Sequence, residues 1–198
     1  MEEDRQIGDN LLLKELLSAS KDGDVQMIQD LLEKIDINHQ DSEGHTALFT
    51  ACEEGKTEVV EMLLDSNADP NVCTKEQQWS PLIIAAKNGH AKVVNQLLEK
   101  NAEIDYKDYD GWTALFWACW REKDGVVAIL LDANADPNIC RISKNRSPII
   151  EATEKGYATI VEKLLAKNVD VNHRDTGVLH LMPGICLEIN VHICTSRQ

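Results

Sequence analysis

TALFTACEEGKTEVVEMLLDSNADPN, at residues 46–71, returns with nearly the same apolar positions at residues 113–138, as TALFWACWREKDGVVAILLDANADPN. Related stretches begin at Ser80 and Ser147, so the four starting points are 34, 33 and 34 residues apart. Self-similarity at this period is typical of proteins built from stacked repeats, in which each unit buries its apolar face against the next. We therefore expect one continuous array of repeats.

Each unit has the pattern of two short helices. A hydroxyl residue followed by Ala or Pro opens the unit, as expected for a helix N-cap and first turn. An aliphatic residue and an alanine three positions later share one helix face. Gly55, Gly89 and Gly156 then end this helix, and a Val-Val to Leu-Leu segment such as 59–64 forms the second. The second helix is expected to end in a left-handed residue, a conformation that asparagine tolerates. The asparagines at this position are Asn67, Asn101, Asn134 and Asn168.

The repeats give the chain its predicted organisation. An acidic segment at 1–10 precedes a degenerate capping unit at 11–40, which lacks the opening hydroxyl. Four full units follow, at 41–74, 75–107, 108–141 and 142–175. Residues 176–198 form a non-repeat tail in which apolar residues alternate as in a strand. This tail either docks on the last unit as a makeshift cap or is a truncated or alternative ending that exposes a strand. We favour the second, because the tail carries one acid and one base and repeat arrays need polar outer caps.

The repeated motif resembles the ankyrin repeat, whose consensus reads G-x-T-P-L-H-x-A-A-x-x-G-H, then V-V-x-L-L, then G-A-x-x-N. This resemblance implies an all-α ankyrin-repeat solenoid, in which units of two antiparallel helices with a projecting β-hairpin stack into a curved array. Two features depart from the motif. Apolar residues replace its histidine: Phe49, Ile83, Phe116 and Ile150. Glu122 stands where the other units have the helix-ending glycine. The region from Trp112 to Ile150 is also similar to the ankyrin arm of kinase D-interacting membrane scaffolds.

Composition excludes several classes of function. The sequence has 34 acidic and 20 basic residues, a formal charge of −14, which argues against binding to nucleic acid or to anionic membrane surfaces. No apolar run approaches the roughly 18 residues of a membrane span, and the acidic N-terminus is unlike a signal peptide. We expect a soluble protein in a reducing compartment, which is the cytoplasm or alternatively the nucleus. We expect no direct membrane insertion.

The sequence offers no catalytic or metal-binding constellation. Cys52 and Cys119 occupy one repeat position and Cys73 and Cys140 another, so each pair is two units apart and too distant for a disulfide. We expect small buried thiols instead. The six histidines lack ligand spacing, and there is no phosphate-binding glycine loop or nucleophile elbow. We therefore predict no enzyme activity, no metal and no cofactor. Asn71, Asn138 and Asn172 resemble asparagines that hydroxylases modify in ankyrin proteins, but hydrogen bonding to the hairpin backbone is the expected role.

The positions that the repeat leaves free are the candidates for binding. The resemblance places the hairpin tips and the exposed side of the first helix on the concave surface. The tips carry His45, Trp79, Trp112 and Arg146. The end of the first helix carries Glu53, Lys87, Trp120 and Glu154, followed by Glu54, Asn88, Arg121 and Lys155.

Aromatic residues are concentrated in the middle of the chain. Seven of the nine, including all four tryptophans, lie between residues 79 and 120. For Phe116 we expect core packing, because it repeats Phe49. For Trp112 and Trp120 we favour contact with a partner, since their columns are otherwise polar and Trp is enriched in binding hot spots. Trp117 could serve either role, as could Tyr106. With Trp79 and Tyr109, these residues predict a Trp-rich anchor.

Charge suggests an orientation for the partner. Residues 1–40 carry 10 acids and 4 bases, and residues 41–74 carry 8 acids and 1 base. This acidity either only solubilises the protein or steers a basic segment of a partner toward Glu43, Glu53 and Glu54. An acidic part of the same partner would then meet the basic positions of the fifth unit, which are Lys144, Arg146 and Lys155.

Together these features predict a non-catalytic, monomeric protein-interaction module, acting as an adaptor, a scaffold or an inhibitor. Two alternatives remain open. The chain could be a regulatory or targeting subunit of a complex whose catalytic part lies elsewhere. It could also be a structural spacer.

Overall fold

The computed structural model describes residues 2–140, 146–167 and 169–170, and this part of the chain is all-α. Its helices are α1 (Glu2–Asp22), α2 (Val25–Leu32), α3 (Ala47–Glu54), α4 (Thr57–Asp65), α5 (Pro81–Asn88), α6 (Ala91–Glu99), α7 (Ala114–Trp120), α8 (Asp124–Asp132), α9 (Pro148–Glu154) and α10 (Ala158–Leu165). Each successive pair forms one repeat, numbered here 1 to 5. The predicted 10/11 boundary falls inside α1. The predicted tail lies outside the described residues, as does Lys144.

The helices stack in two layers. First helices contact first helices in the order α1, α3, α5, α7 and α9, and second helices contact second helices from α2 to α10. The two helices of each repeat also contact one another. The core lies between the layers as one continuous apolar cluster from Leu13 to Leu164. The predicted repeat solenoid is therefore confirmed.

The hydroxyl residues cap the first helices of repeats 2, 3 and 4. Thr46 Oγ1 accepts the Phe49 N–H at 3.1 Å, and Thr113 Oγ1 accepts the Phe116 N–H at 3.2 Å. Ser80 makes the equivalent bond. Ser147 occupies the same position in repeat 5 without a side-chain capping bond. The residues that replace the motif's histidine stand three positions after these hydroxyl residues, and all of them are buried.

The helix ends follow the prediction. The φ angles of Gly55, Gly89 and Gly156 are +70°, +87° and +74°, in the left-handed region. Glu122, at the equivalent position of repeat 4, adopts the same conformation with φ +56°. A Cβ on Gly55 would lie 2.5 Å from Nδ1 of His90, so this site excludes a side chain for steric reasons as well. Asn67, Asn101 and Asn134 also have positive φ angles, as predicted.

The projecting hairpins are tight loops and not β-hairpins, because no strand occurs in the described ranges. Within a loop, the N–H of Asp41 bonds the carbonyl of His45, and that of Asp108 bonds the carbonyl of Trp112. Neighbouring loops are also joined, since the Tyr109 N–H donates to the Gln77 carbonyl at 3.0 Å. These few bonds replace the ladder that a strand pair would need.

Side-chain oxygens connect the bases of successive loops. Asn38 Oδ1 accepts the Asp69 N–H at 2.9 Å, and Asn71 Oδ1 accepts the Glu103 N–H at 2.9 Å. Asp105 and Asn138 make the equivalent bonds to the next two repeats. The expected structural role is therefore confirmed for Asn71 and Asn138, while Asn172 lies outside the described residues.

Candidate protein-binding surface

In three successive repeats, the residue at the loop tip contacts the residue at the end of the first helix, eight positions further along the chain. The pairs are Trp79 with Lys87, Trp112 with Trp120, and Arg146 with Glu154. The predicted tip and helix-end positions therefore come together in space as one row.

Asp108 organises the middle of this row. Its carboxylate is buried, with the residue 5% exposed. Oδ2 accepts the indole N–H groups of Trp117 at 2.8 Å and of Trp79, from the preceding repeat, at 3.2 Å. Oδ1 accepts the backbone N–H groups of Trp112 at 2.8 Å and Asp110 at 3.1 Å. One carboxylate thus fixes a loop and two indole rings, which lowers the entropy that these rings lose on binding.

The four tryptophans form one cluster, called here the indole cluster (Trp79, Trp112, Trp117 and Trp120). Ring centroids lie 4.4 Å apart for Trp112 and Trp117 and 5.4 Å apart for Trp117 and Trp120. Trp79 meets Trp117 edge to face at 5.8 Å. These separations are typical of favourable aromatic pairs. The cluster spans repeats 3 and 4.

Trp112 is the buried member of the cluster. It is 8% exposed and packs against Phe116 at 4.7 Å as well as against its neighbours in the cluster. Trp112 therefore offers little accessible surface of its own, because the ring turns inward, and its contact with a partner stays a prediction. The other three tryptophans are partly exposed, and Tyr109 at the loop tip is 71% exposed. They can supply accessible aromatic area.

Three cations lie over the rings of the cluster. Lys87 Nζ is 3.6 Å from the Trp79 ring centroid and 5.0 Å from that of Trp117. The Arg121 guanidinium lies 4.5 Å from the Trp120 ring, and Lys155 Nζ lies 4.4 Å from it. Burial, followed by the charge of Arg121, lowers the pKa of Lys87. The predicted positions Lys87, Arg121 and Lys155 thus join the aromatic residues in one surface.

The predicted acidic positions lie in repeat 2, at the equivalent tip and helix end, and extend the row beyond repeat 3. Glu43, Glu53 and Glu54 are exposed. His45 stacks on Phe49 at 5.0 Å, and its Nδ1 is 3.3 Å from Asp41. The Glu53 backbone carbonyl accepts the side-chain N–H of Asn88 at 2.9 Å, so repeat 3 covers the end of α3. Glu54 meets Lys21 at 3.4 Å.

The basic positions of repeat 5 already have acidic neighbours. Arg146 pairs with Glu154 and lies 3.5 Å from Glu151. Lys155 Nζ donates to the Trp120 carbonyl at 2.9 Å and lies 3.7 Å from Glu151. Glu151 is buried. This end of the row is therefore a balanced charge network.

Sequence reasoning missed Asp108 and Glu151. A signal for Asp108 exists in the D-x-x-G pattern shared by residues 41–44 and 108–111, which opens both loops. Glu151 gave a weaker signal, since it is an acid at the position of the aliphatic Ile84. Tyr106, which could have served either role, contacts the core. Burial, followed by a hydrogen bond with Cys73, raises the pKa of Tyr106 to about 12.

The chemistry of the remaining groups is structural in the described part of the chain. Cys52 and Cys119 are free, buried thiols, and burial raises their pKa values. The Cys73 thiol is also free of a disulfide, and the Cys140 thiol donates a hydrogen bond to the Asn138 carbonyl at 3.1 Å. No group of three or more potential metal ligands occurs among the described residues. None of the described helices is both long and apolar enough to cross a bilayer.

Comparison with known proteins agrees with this architecture. A family model described as ankyrin repeats matches three times, at residues 16–108, 69–141 and 105–175. The ankyrin repeat and KH domain-containing protein mask-1 of Caenorhabditis elegans is 35% identical over 152 residues, which are 76% of this chain and 6% of that protein. The glycerophosphocholine phosphodiesterase GDE1 of Candida albicans is 31% identical over 156 residues, covering 71% of this chain and 13% of the relative. The ankyrin repeat and SAM domain-containing protein 6 of Mus musculus is 28% identical over 72% of this chain and 14% of its own length.

The chain thus spans only a small part of each of these relatives. The residues that the family model matches, from 16 to 175, include the described helix pairs from repeat 2 onward and the loops between them. Ankyrin repeats are in general non-catalytic modules for protein–protein interaction. Repeated sequence, stacked helix pairs and family model all lead to one assignment: the chain belongs to the ankyrin repeat family.

Proposed function

We propose that this chain is a non-catalytic protein-binding module whose partner contacts the loop tips and the exposed side of the first helices. The observation that carries the proposal is the indole cluster with Tyr109 beside it. Partly exposed Trp and Tyr rings held in place by a buried carboxylate match the composition of binding hot spots.

The partner is a protein segment that lies along the row of tips. Its basic residues face Glu43, Glu53 and Glu54, and its apolar residues cover the indole cluster. The concentration of acidic residues in the first third of the sequence supports this orientation, because opposite charge speeds encounter. The module acts as a monomer, as an adaptor, a scaffold or an inhibitor.

We propose that the protein acts in a reducing compartment, which is the cytoplasm or alternatively the nucleus. The reduced thiols of Cys52, Cys73 and Cys119 support this, since disulfides form and persist mainly in oxidising environments outside the cytosol.

The regulatory alternative also has an observation in its favour. GDE1 of Candida albicans is named as a phosphodiesterase, and this chain matches only 13% of its length. An ankyrin array can therefore belong to a longer protein that carries an enzyme elsewhere. On this alternative the same row of tips would hold the enzyme part or its regulator.

Site-specific photo-crosslinking tests the proposal. A benzophenone amino acid is placed at Tyr109, on the exposed loop tip, or at Glu61, an exposed residue of the second-helix layer. Both chains are exposed to light in cell extract, and the products are identified by mass spectrometry. We expect a discrete adduct from position 109 and little from position 61.

The outcome separates the alternatives. Equal labelling from both positions, or labelling from position 61 alone, would contradict binding at the loop tips. No adduct from either position would favour the spacer. An enzyme in the adduct from position 109 would favour the regulatory alternative.

A further inference from the structure

The indole cluster carries two cations whose hydrogen-bonding capacity is unused. Within the described ranges, neither Lys87 nor Arg121 has a carboxylate at ion-pair distance or a hydrogen-bond acceptor; both lie over ring faces, and the charges of Glu53 and Asp108 act on Lys87 only from beyond ion-pair distance. A ring face attracts a cation but takes no conventional hydrogen bond from it. Their N–H groups therefore remain available to a bound group.

The cations of repeat 5 differ in this respect. Lys155 and Arg146 also lie on the row of tips, but both contact Glu151, and Arg146 pairs with Glu154. Their charges are compensated within the protein. Among the described basic positions of the row, Lys87 and Arg121 at its centre are therefore better placed than Arg146 and Lys155 to meet an acidic group of a partner.

Lys87 and Arg121 also repel one another. Lys87 lies over Trp79 and Trp117, and Arg121 lies over Trp120, which contacts Trp117 edge to face. Burial, followed by the charge of Arg121, lowers the pKa of Lys87, and Glu53 and Asp108 offset only part of this shift. An anion bound between them would relieve this repulsion and accept hydrogen bonds from both side chains.

We infer that the indole cluster binds an acidic segment of a partner protein, with an Asp or Glu carboxylate between Lys87 and Arg121 and an adjacent apolar side chain on Trp120. This inference rests on the proposed function and adds the chemistry of the ligand. It also gives the partner a charge order along the row, basic residues at repeat 2 and an acid at repeats 3 and 4.

A peptide selection tests this chemistry without knowledge of the partner. A random library of 12-residue peptides displayed on phage is selected against the full chain. Binding of the enriched peptides is then measured for the wild type and for Lys87→Gln with Arg121→Gln. Lys34→Gln with Lys92→Gln is the matched control, since it removes the same charge from two exposed lysines away from the cluster. Trp120→Ala reports on the cluster itself.

We expect peptides with an Asp or Glu next to an aromatic or aliphatic residue. Their affinity should fall at least tenfold in the Lys87/Arg121 variant, and less than twofold in the Lys34/Lys92 control. A selection that yields no acidic position, or no binder, would overturn the inference. Peptides that lose affinity in Trp120→Ala but not in the Lys87/Arg121 variant would overturn it too, while leaving the proposed function intact. Peptides indifferent to all three variants would contradict both.

Discussion

Repeats 2 and 4 are built on the same template and differ in what their loops hold. Asp41 and Asp108 open equivalent loops, and each binds two backbone N–H groups through Oδ1. The second oxygen of Asp41 faces the imidazole of His45. That of Asp108 holds two indoles from two repeats. One turn thus serves as a simple loop in repeat 2 and as the base of an aromatic surface in repeat 4.

This comparison shows how a repeat separates folding from binding. Capping residues, buried alanines and the Val-Val to Leu-Leu helices are shared by the two units and form the core. Residues at the loop tip and the helix end differ between the two units, such as His45 against Trp112 and Glu53 against Trp120. The helices stack in the same way in both repeats although these positions differ.

The largest expected effect is that of Trp112→Ala, compared with His45→Ala at the equivalent tip. Trp112 is buried against three rings, so its removal should cost about 3 kcal/mol of unfolding free energy, in the range known for buried aromatic residues. His45→Ala should cost about 1 kcal/mol or less, since it loses one stacking contact and a partly exposed contact of Nδ1 with the Asp41 carboxylate. Urea unfolding followed by circular dichroism measures both. Equal losses would show that the indole cluster does not stabilise the array.

The loop aspartates should differ next. Asp108→Ala leaves two indole N–H groups and two backbone N–H groups without their acceptor, and we expect a loss of about 2 kcal/mol. Asp41→Ala should cost about 1 kcal/mol, because water can reach its more exposed loop. The same unfolding experiment applies, with indole fluorescence as a second signal. A shift of fluorescence in Asp41→Ala and none in Asp108→Ala would contradict the assignment.

The helix-ending position gives a smaller pair of effects with opposite signs. Glu122→Gly should stabilise the protein by about 1 kcal/mol, because glycine adopts the left-handed conformation without the Cβ penalty. Gly55→Ala should destabilise it by at least about 1 kcal/mol, since the new Cβ carries that penalty and also collides with His90. Thermal unfolding of the two variants reads out the signs. Shifts in the same direction would be inconsistent with this account.

The smallest expected effect is that of charge reversal at repeat 2, which should change the rate of association with the partner. Glu43→Lys, Glu53→Lys and Glu54→Lys together should slow association with a basic partner a few-fold and flatten its dependence on salt. Glu58→Lys with Glu61→Lys, on the exposed side of α4, serves as the control. Stopped-flow mixing at two salt concentrations gives the rates. Unchanged kinetics would rule out steering by the repeat 2 end.

Much of the fold follows from local chemistry. Thr46 and Thr113 cap helices, Gly55 and Asn67 take left-handed conformations, and the apolar substitutes for the motif's histidine enter the core. Each of these is decided by the residue and its immediate neighbours. The loops were less predictable, because the number of hydrogen bonds between their arms depends on how neighbouring repeats pack.

The sequence predicted which residues make up the candidate site but not their arrangement. The tip and helix-end columns indicated a Trp-rich surface, and the structure brings all four tryptophans into one cluster. The columns could not show that Trp112 turns inward, because that depends on the space beside Trp117 and Phe116. Nor could they show that Asp108 bridges two repeats, since a loop aspartate most often serves only its own turn. Nor could they show that Glu151 and Glu154 compensate the charges of Arg146 and Lys155, since the other repeats have Thr50, Ile84 and Trp117 at the position of Glu151.

The most direct test is the affinity of the crosslinked partner for variants of exposed residues. Trp120→Ala with Tyr109→Ala removes accessible aromatic area at the row of tips. Leu11→Ala with Met27→Ala removes exposed apolar area in repeat 1 and leaves the row intact. Isothermal titration calorimetry should show binding at least tenfold weaker for the first pair, as expected for hot-spot residues, and within twofold of the wild type for the second. Equal affinity of the two pairs would contradict the claim that this surface binds the partner.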